Sequence, residues 1–214
     1  VTPLLMACQN GHEEVVRLLL AHAETKVNQA TTDEYGYTPL FVACFKGHER
    51  VVRLLLAHVE TKVNQARTDN GATPLYTACK EGHKGVVRML LDHASTKVNQ
   101  AKTTTGTTPL LVACQGGHEG VVRLLLAHPA TKVNQAKTKN GETPLIMACY
   151  EDHEKVVRLL LAHTATKVNQ ATWHDVSTPL YTACRQGHEV VVRLLLAHAA
   201  TEVNQANDFG ETPL

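Results

Sequence analysis

Cysteine followed four residues later by histidine occurs six times along the 214-residue chain, for example at Cys44 and His48. Thiolate and imidazole are common zinc ligands, but a zinc site needs four ligands converging at ~2.0–2.3 Å. Each occurrence offers two ligands separated by a helix break, and stacked repeats would place the next pair ~8–10 Å away. The pattern therefore predicts a packed cysteine and a turn histidine, with no metal and no cofactor.

Each of the six cysteines follows an alanine within an apolar stretch, and they recur every 35 or 36 residues. Repeats stacked at helix-packing distance hold neighbouring cysteines beyond the ~7 Å limit for a disulfide. We therefore expect free, buried thiols and a reducing compartment such as the cytoplasm. The cysteines are Cys8, Cys44, Cys79, Cys114, Cys149 and Cys184.

Two further rows of polar side chains recur with the same period. The histidines are His22, His58, His93, His128, His163 and His198. We expect them to help close a helix, where the macrodipole favours a cation. The arginines are Arg17, Arg53, Arg88, Arg123, Arg158 and Arg193, and five of these six have glutamate four residues earlier. That spacing predicts a self-neutralised, solvated helix face and argues against a phosphate site.

Charge and motifs exclude several classes of function. Lys and Arg together number 21 against 20 Asp and Glu, so no net field attracts nucleic acid or an anionic membrane. No apolar run approaches the ~20 residues that cross a bilayer. The sequence has no phosphate-binding loop, nucleophile elbow or metalloprotease motif, so we predict that it is not an enzyme.

Internal repetition dominates the sequence. Thr-Pro-Leu begins at positions 2, 38, 73, 108, 143, 178 and 212, and one template fills the intervals. A period of this length is typical of a solenoid, in which each unit buries its apolar face against its neighbours. We therefore predict a single array over residues 1–214, with six complete units and a seventh cut off at 212–214. Since neither end has a polar capping unit, we expect a segment of a longer array.

The second unit illustrates the predicted structure. Thr38 is a good N-cap, and the following proline suits the first position of a helix. Gly47 ends this helix after two turns. A second helix then buries residues 51, 52, 54, 55 and 56, and in the fourth unit Pro129 fixes its end near His128. The Asn-Gly pair ending at Gly71 predicts a tight, hairpin-like finger.

The template T-P-L-x-x-A-C-x-x-G-H-x-x-V-V-x-x-L-L resembles the ankyrin repeat over the whole chain. The histidine that the family has after Thr-Pro-Leu is replaced here, and each unit is about two residues longer than usual, which alters the fingers. The resemblance implies an all-α repeat protein: an ankyrin-type solenoid of helix-turn-helix units linked by hairpin-like fingers. It also implies a non-catalytic scaffold, in which finger tips and first helices line a concave face that binds a partner protein.

The nine aromatic residues all occupy positions that vary between units. Three follow Thr-Pro-Leu and are predicted to pack partly between repeats: Phe41, Tyr76 and Tyr181. The others fall at finger tips or at the end of the first helix: Tyr35, Tyr37, Phe45, Tyr150, Trp173 and Phe209. Exposed aromatics beside charged residues are typical of protein-binding hot spots. The predicted binding set is Tyr35, Tyr37, Phe45, Lys46, Lys80, Tyr150, Glu151, Trp173, His174 and Arg185, with Tyr35, Tyr37 and Phe45 in one patch and Tyr150 and Trp173 in another.

Three alternatives to a dedicated binding site stay open at this stage. The aromatics are also consistent with scattered surface residues of no function. The array is consistent with a mechanical or spacing element, in which only its length matters, or with a modulator that docks on an enzyme. For the binding scaffold, the predicted partner is another protein of unknown identity, with no nucleic acid and no membrane insertion, bound by a monomeric array.

Overall fold

The computed structural model describes residues 1–206, 208 and 210–213 of the chain. Within them, twelve α helices form antiparallel pairs, one pair per repeat, which confirms the predicted all-α class. The predicted finger aromatic Phe209 and the last residue of the seventh unit, Leu214, lie outside the described residues. The helices are α1 (Pro3–Asn10), α2 (Glu13–Leu20), α3 (Pro39–Lys46), α4 (Glu49–Ala57), α5 (Pro74–Lys80), α6 (Lys84–Asp92), α7 (Pro109–Gln115), α8 (Glu119–Ala127), α9 (Pro144–Tyr150), α10 (Glu154–Ala162), α11 (Pro179–Gln186) and α12 (Glu189–Leu196).

The first helix of each repeat begins at the predicted cap. The Thr38 hydroxyl accepts the backbone N–H of Phe41 at 3.1 Å, and Pro39 occupies the first helical position, where its missing N–H leaves no bond unmade. The same threonine bond and proline start α1, α5, α7, α9 and α11.

A left-handed residue ends the first helix, as predicted. Gly47 has φ +74°, a conformation that costs glycine little because it has no Cβ. In the fifth repeat Asp152 takes the same place with φ +58°. α5, α7 and α9 end one residue earlier relative to the template than α3, but the left-handed residue keeps its template position.

The second helix buries a narrower stripe than the sequence predicts. In α4, Val51, Val52 and Leu55 are buried, whereas Leu54 and Leu56 are half-buried. At 100° per residue, the last two positions flank the stripe instead of lying in its centre. In the fourth repeat, α8 ends at Ala127 and His128 is extended, which agrees with the limit that Pro129 imposes.

Contacts divide the chain into two compact units, residues 1–104 and residues from 105 onward. In the first unit, α3 packs between α1 and α5, and α4 packs between α2 and α6. In the second unit, α9 packs between α7 and α11, and α10 packs between α8 and α12. Each unit therefore has a layer of first helices and a layer of second helices.

The fingers are short hairpins with one left-handed residue, which is glycine except in the finger after the fifth repeat, where it is Val176. In the finger after the second repeat, Gly71 has φ +74°, and the backbone N–H of Arg67 donates to the backbone oxygen of Ala72 at 2.9 Å. Asn70 keeps a negative φ and accepts the N–H of Ala72 through its side chain, so the positive φ that the Asn-Gly pair predicted comes from Gly71. Successive fingers also pair, since Thr68 donates its N–H to the Tyr35 oxygen at 3.1 Å.

Candidate functional site

The turn histidines hold neighbouring repeats together. His48 Nε2 lies 3.1 Å from the backbone oxygen of Gln9, at the end of α1, and His83 Nε2 lies 3.0 Å from that of Phe45, at the end of α3. In the second unit the same bond joins His153 and His188 to the preceding repeat. Since a carbonyl oxygen only accepts, each Nε2 donates. These histidine side chains are therefore engaged in hydrogen bonds between neighbouring repeats.

Asparagines at the finger bases make a second link between repeats, which was not predicted from the sequence. Asn28 Nδ2 donates to the backbone oxygen of Glu60 at 2.6 Å, and its Oδ1 accepts the N–H of Lys62 at 2.7 Å. Asn64, Asn134 and Asn169 do the same toward the repeat that follows each of them. The signal was available, because the Val-Asn-Gln-Ala segment that contains this asparagine occurs in every complete unit.

The second row of histidines lies at the end of the second helix. His58 Nδ1 accepts the backbone N–H of Glu60 at 3.4 Å. The neighbouring Thr61 hydroxyl donates to the Leu55 oxygen, a carbonyl of the last turn of α4, at 2.5 Å. The histidine and threonine bonds recur in all six repeats. These hydrogen bonds close the end of each second helix.

The glutamate–arginine row is only partly paired. Of the five predicted i,i+4 pairs, those ending at Arg17, Arg123 and Arg193 form, with N–O distances of 3.1, 2.8 and 2.6 Å. In the described part of the chain, Arg53 and Arg158 make no such pair with their glutamates. The row remains an exposed helix face.

The six cysteines are free thiols. Five of them are buried and Cys184 is half-buried. Burial raises the pKa of Cys8 to about 12 and raises that of Cys44 further, because a thiolate loses its hydration there. Among the described residues, no cluster of three or more histidine, cysteine or acidic side chains could hold a metal ion.

In the first unit, several predicted binding residues come together on one face. The rings of Tyr35 and Tyr37 lie 5.7 Å apart, and Tyr37 lies 5.6 Å from Phe41. Arg67 covers these rings, with its Cζ 4.7 Å from the centre of Tyr37. Its Nη2 bonds Asp69 at 2.6 Å, so the guanidinium is fixed against the aromatic group.

A cavity of about 520 Å³ opens on the face that the first helices and finger tips form, which we call the finger face. Four predicted residues line it: Tyr37, Phe45, Lys46 and Lys80. Tyr35 is 40% exposed and contacts the lining ring of Tyr37 without lining the cavity itself.

Met6, Arg67 and Lys102 also line this cavity and lie outside the predicted binding set. Arg67 and Lys102 come directly after Asn-Gln-Ala, where the other repeats have Thr31, Lys137, Thr172 and Asn207. Variation at that position was the available signal. Phe41 and Tyr76, which the sequence predicted to be partly packed, are buried and form part of the cavity wall.

One carboxylate of this cavity is held by its own finger. Asp33 Oδ1 accepts the Thr31 hydroxyl at 2.6 Å and the backbone N–H groups of Tyr35 and Gly36, both at 3.1 Å. These bonds, the Thr31 hydroxyl first, lower the pKa of Asp33. Asp33 Oδ1 therefore stabilises the finger.

The predicted residues of the second unit are more scattered. Tyr150 and Arg185 line a smaller cavity of about 180 Å³, together with the carboxylates of Glu142 and Asp175. Trp173 does not line it, and its indole instead covers Gly141, where an added Cβ would lie 2.5 Å from Cδ1.

The two remaining predicted residues of this unit are exposed outside that cavity. His174 Nε2 lies 3.3 Å from the backbone oxygen of Lys139, in the preceding finger. Glu151 follows α9 and is exposed. Of the predicted pair Tyr150 and Trp173, only Tyr150 therefore lines this cavity.

None of the helices in the described residues has both the length and the apolar character needed to cross a membrane.

Comparison with known proteins agrees with this architecture. The family model described as ankyrin repeats (3 copies) matches residues 1–67, 31–103, 59–136 and 94–172, and the single ankyrin repeat model matches residues 177–208. No curated protein gives a significant match.

Two solved structures are similar over 100% of this chain at 27% identity. The ankyrin repeat domain of human ASB11 aligns with a TM-score of 0.82 over 90% of its chain. The ankyrin repeat domain of Bcl-3, titled a unique member of the IkappaB protein family, aligns with a TM-score of 0.86 over 92% of its chain. Capped first helices, left-handed turns, fingers and family matches lead to one conclusion: the chain belongs to the ankyrin repeat family.

Proposed function

We propose that this chain is a non-catalytic scaffold that binds a partner protein on its finger face. Ankyrin repeat domains are general protein-binding modules and are typically non-catalytic. The observation that carries the proposal is that repeated residues and variable residues have different roles in the structure. The repeated histidines, asparagines and threonines bond within the frame, whereas the variable aromatic and basic residues line the 520 Å³ cavity.

The proposed contact residues are the variable ones of both units. They are Tyr35, Tyr37, Phe45, Lys46, Lys80, Tyr150, Glu151, Trp173, His174 and Arg185. Exposed fractions of 40% for Phe45, 50% for Tyr150 and 57% for Trp173 support this role, since large apolar surface left in water is available to a partner. We further propose a monomeric array in a reducing compartment such as the cytoplasm, which the six free thiols support.

Affinity capture with the chain as bait tests this proposal. Saturable binding of a partner should weaken at least about tenfold in Tyr37→Ala and Trp173→Ala, as expected for hot spots. Val59→Ala is the matched control, because Val59 is 96% exposed, follows α4 and lines neither of the two cavities. Equal loss in all three variants, or none in the first two, would contradict binding on the finger face.

A spacing role is the second candidate, and the links between repeats favour it. Asparagine and histidine bonds join neighbouring repeats in both units and fix their stacking whatever the variable residues are. If shortening the array by one repeat abolishes function while Tyr37→Ala and Trp173→Ala leave it intact, the spacing role is the correct one.

A further inference from the structure

The cavity of the first unit has an apolar wall, and its volume can hold one bulky side chain together with adjacent residues of a bound segment. Leu5, Phe41 and Tyr76 are buried behind it, with exposed fractions of 3, 4 and 7%. Met6 and Phe45 line it with 45 and 40% of their surface in water. A volume of about 520 Å³ lies within the ~300–1,000 Å³ typical of ligand sites. The wall therefore offers apolar contact to a single anchoring side chain.

The charge around this wall is positive. Lys46, Lys80, Lys102 and Arg67 line the cavity, and within the described residues Asp33 supplies its one lining carboxylate. Asp33 is engaged by its finger, as described above.

The four cations differ in how far they are already paired. Arg67 is bonded to Asp69, and Lys80 lies 3.4 Å from Glu81. Lys46 and Lys102 contact aromatic rings, at 5.3 Å from the centre of Phe45 and 5.7 Å from that of Tyr76, and within the described residues neither forms an ion pair. Two ammonium groups beside an apolar wall can thus receive carboxylates.

The smaller cavity of the second unit is an internal comparison. It has a volume of about 180 Å³, and the charged side chains that line it in the described part of the chain are Arg185, Glu142 and Asp175. Tyr150 ends α9 as Phe45 nears the end of α3, and both are exposed. The two cavities therefore share an aromatic position but differ in size and in the sign of their charge.

We propose that the first-unit cavity binds an acidic segment of a partner protein that carries one large apolar side chain. The apolar side chain packs against Met6 and Phe45, and flanking carboxylates pair with Lys46 and Lys102. This inference rests on the proposed protein-binding function of the finger face. The chain as a whole has a formal charge of only +1, so the attraction is local to the cavity and does not extend along a strand of nucleic acid.

Fluorescence anisotropy with a designed peptide tests the proposal on the full chain. The probe is an 11-residue fluorescein-labelled peptide with phenylalanine at its centre and glutamates alternating with glycines on both sides. Three matched probes replace the glutamates by glutamine, replace them by lysine, or replace the phenylalanine by alanine. The acidic phenylalanine peptide should bind at least about tenfold more tightly than each of the other three, and more weakly as salt is added.

Charge reversal locates the site. Lys46→Glu combined with Lys102→Glu should weaken the acidic peptide at least about tenfold and should let the lysine peptide bind instead. Phe45→Ala should weaken the acidic peptide as well, whereas Val59→Ala, a change at an exposed residue that does not line the cavity, should leave its affinity unchanged. Circular dichroism of each variant checks that the helices persist. Equal affinity for the four probes, or equal loss in Phe45→Ala and Val59→Ala, would overturn the proposal.

A displayed library of random peptides separates this inference from the proposed function. Enrichment of acidic sequences with an aromatic or aliphatic centre, lost on Phe45→Ala, supports both. Enrichment of basic or neutral peptides that Phe45→Ala or Trp173→Ala abolishes overturns the inference and leaves the proposed function standing. Absence of any peptide that depends on finger-face residues contradicts both, and tight binding of a single-stranded RNA in place of peptides overturns both in favour of a nucleic-acid partner.

Discussion

His83 Nε2 lies 3.0 Å from the backbone oxygen of Phe45, so the third repeat holds the end of the helix that presents an exposed aromatic of the second. The imidazole also packs on Gly47, where an added Cβ would lie 2.7 Å from the ring. The bonds that join the repeats and the wall of the 520 Å³ cavity meet at this contact. A change in the contacts between repeats is therefore expected to alter the finger face as well.

Removing this imidazole should destabilise the array. His83→Ala deletes a bond worth about 0.5–1.5 kcal/mol together with the packing on Gly47, so we expect a loss of about 1–2 kcal/mol in the free energy of unfolding by urea. The matched control is His93→Ala, because His93 accepts only a long bond, 3.4 Å, from Ser95 within its own turn. An equal loss in the two variants would contradict a role between repeats for His83.

The local structure of each repeat could be predicted from the sequence because its causes lie within a few residues. Thr38 caps the helix that starts immediately after it, and Gly47 and Pro129 act on adjacent backbone. Contacts between repeats could not be predicted in this way. Asn28 bonds residues 32 and 34 positions away, and His83 bonds one 38 positions away, so their partners depend on how the repeats stack.

The candidate site was only partly predictable for the same reason. Variable aromatics indicated which positions face a partner, and Tyr37 and Phe45 do line a cavity. The cavity also needs Met6 and Lys102, which come from opposite ends of the first unit, and their convergence depends on stacking. Trp173 illustrates the converse, because its ring is turned onto the preceding finger.

Val176 should be a point of stored strain. It has φ +50°, whereas the corresponding finger residues are glycines: Gly36, Gly71, Gly106, Gly141 and Gly210. A β-branched residue in this conformation destabilises the folded state by about 1–3 kcal/mol. Glycine removes that strain, but it loses more backbone entropy on folding, which offsets about 1 kcal/mol of the gain. We expect Val176→Gly to raise the free energy of unfolding by about 1 kcal/mol, measured by chemical denaturation.

Asp152→Gly is the comparison for this change. Asp152 also has positive φ, +58°, but aspartate tolerates the left-handed region better than valine. Its replacement should therefore stabilise the protein less. A neutral or destabilising Val176→Gly would show that the finger relaxes around valine without strain.

Thiol reactivity should single out Cys184. Burial raises the pKa of Cys8 to about 12, which leaves on the order of one thiol in ten thousand ionised at pH 8. Cys184 is half-buried, whereas the other five thiols are buried. Labelling with a thiol reagent, followed by peptide mass spectrometry, should therefore show one fast phase at Cys184 and slow phases elsewhere. Cys184→Ala should remove the fast phase, and fast labelling of several cysteines would contradict the buried stacking.

The finger at Asp175 should make a small contribution to acid sensitivity. The Thr172 hydroxyl, 2.5 Å from Oδ1, is the main cause that lowers the pKa of Asp175, and Ser177 adds to it. A lowered pKa in the folded state stabilises the protein above the ordinary aspartate value, and this contribution is lost as the pH falls through the lowered pKa. Thr172→Val should raise the pKa of Asp175 in a carboxyl NMR titration, and Thr172→Ser, which keeps the hydroxyl, should not. An unchanged pKa in Thr172→Val would refute this cause.

The third repeat should gain stability from a single methyl group. Gly85 lies in the first turn of α6, where glycine costs up to about 1 kcal/mol relative to alanine. An added Cβ would meet only the carboxylate end of Glu49 at close range, a flexible group that can turn into solvent. We expect Gly85→Ala to raise the free energy of unfolding by about 0.5–1 kcal/mol and to slow hydrogen exchange across α6. The same change at Gly47, which has φ +74° and the His83 ring beside it, should destabilise the protein instead. Loss of stability in Gly85→Ala would show that Glu49 is held in place and cannot yield.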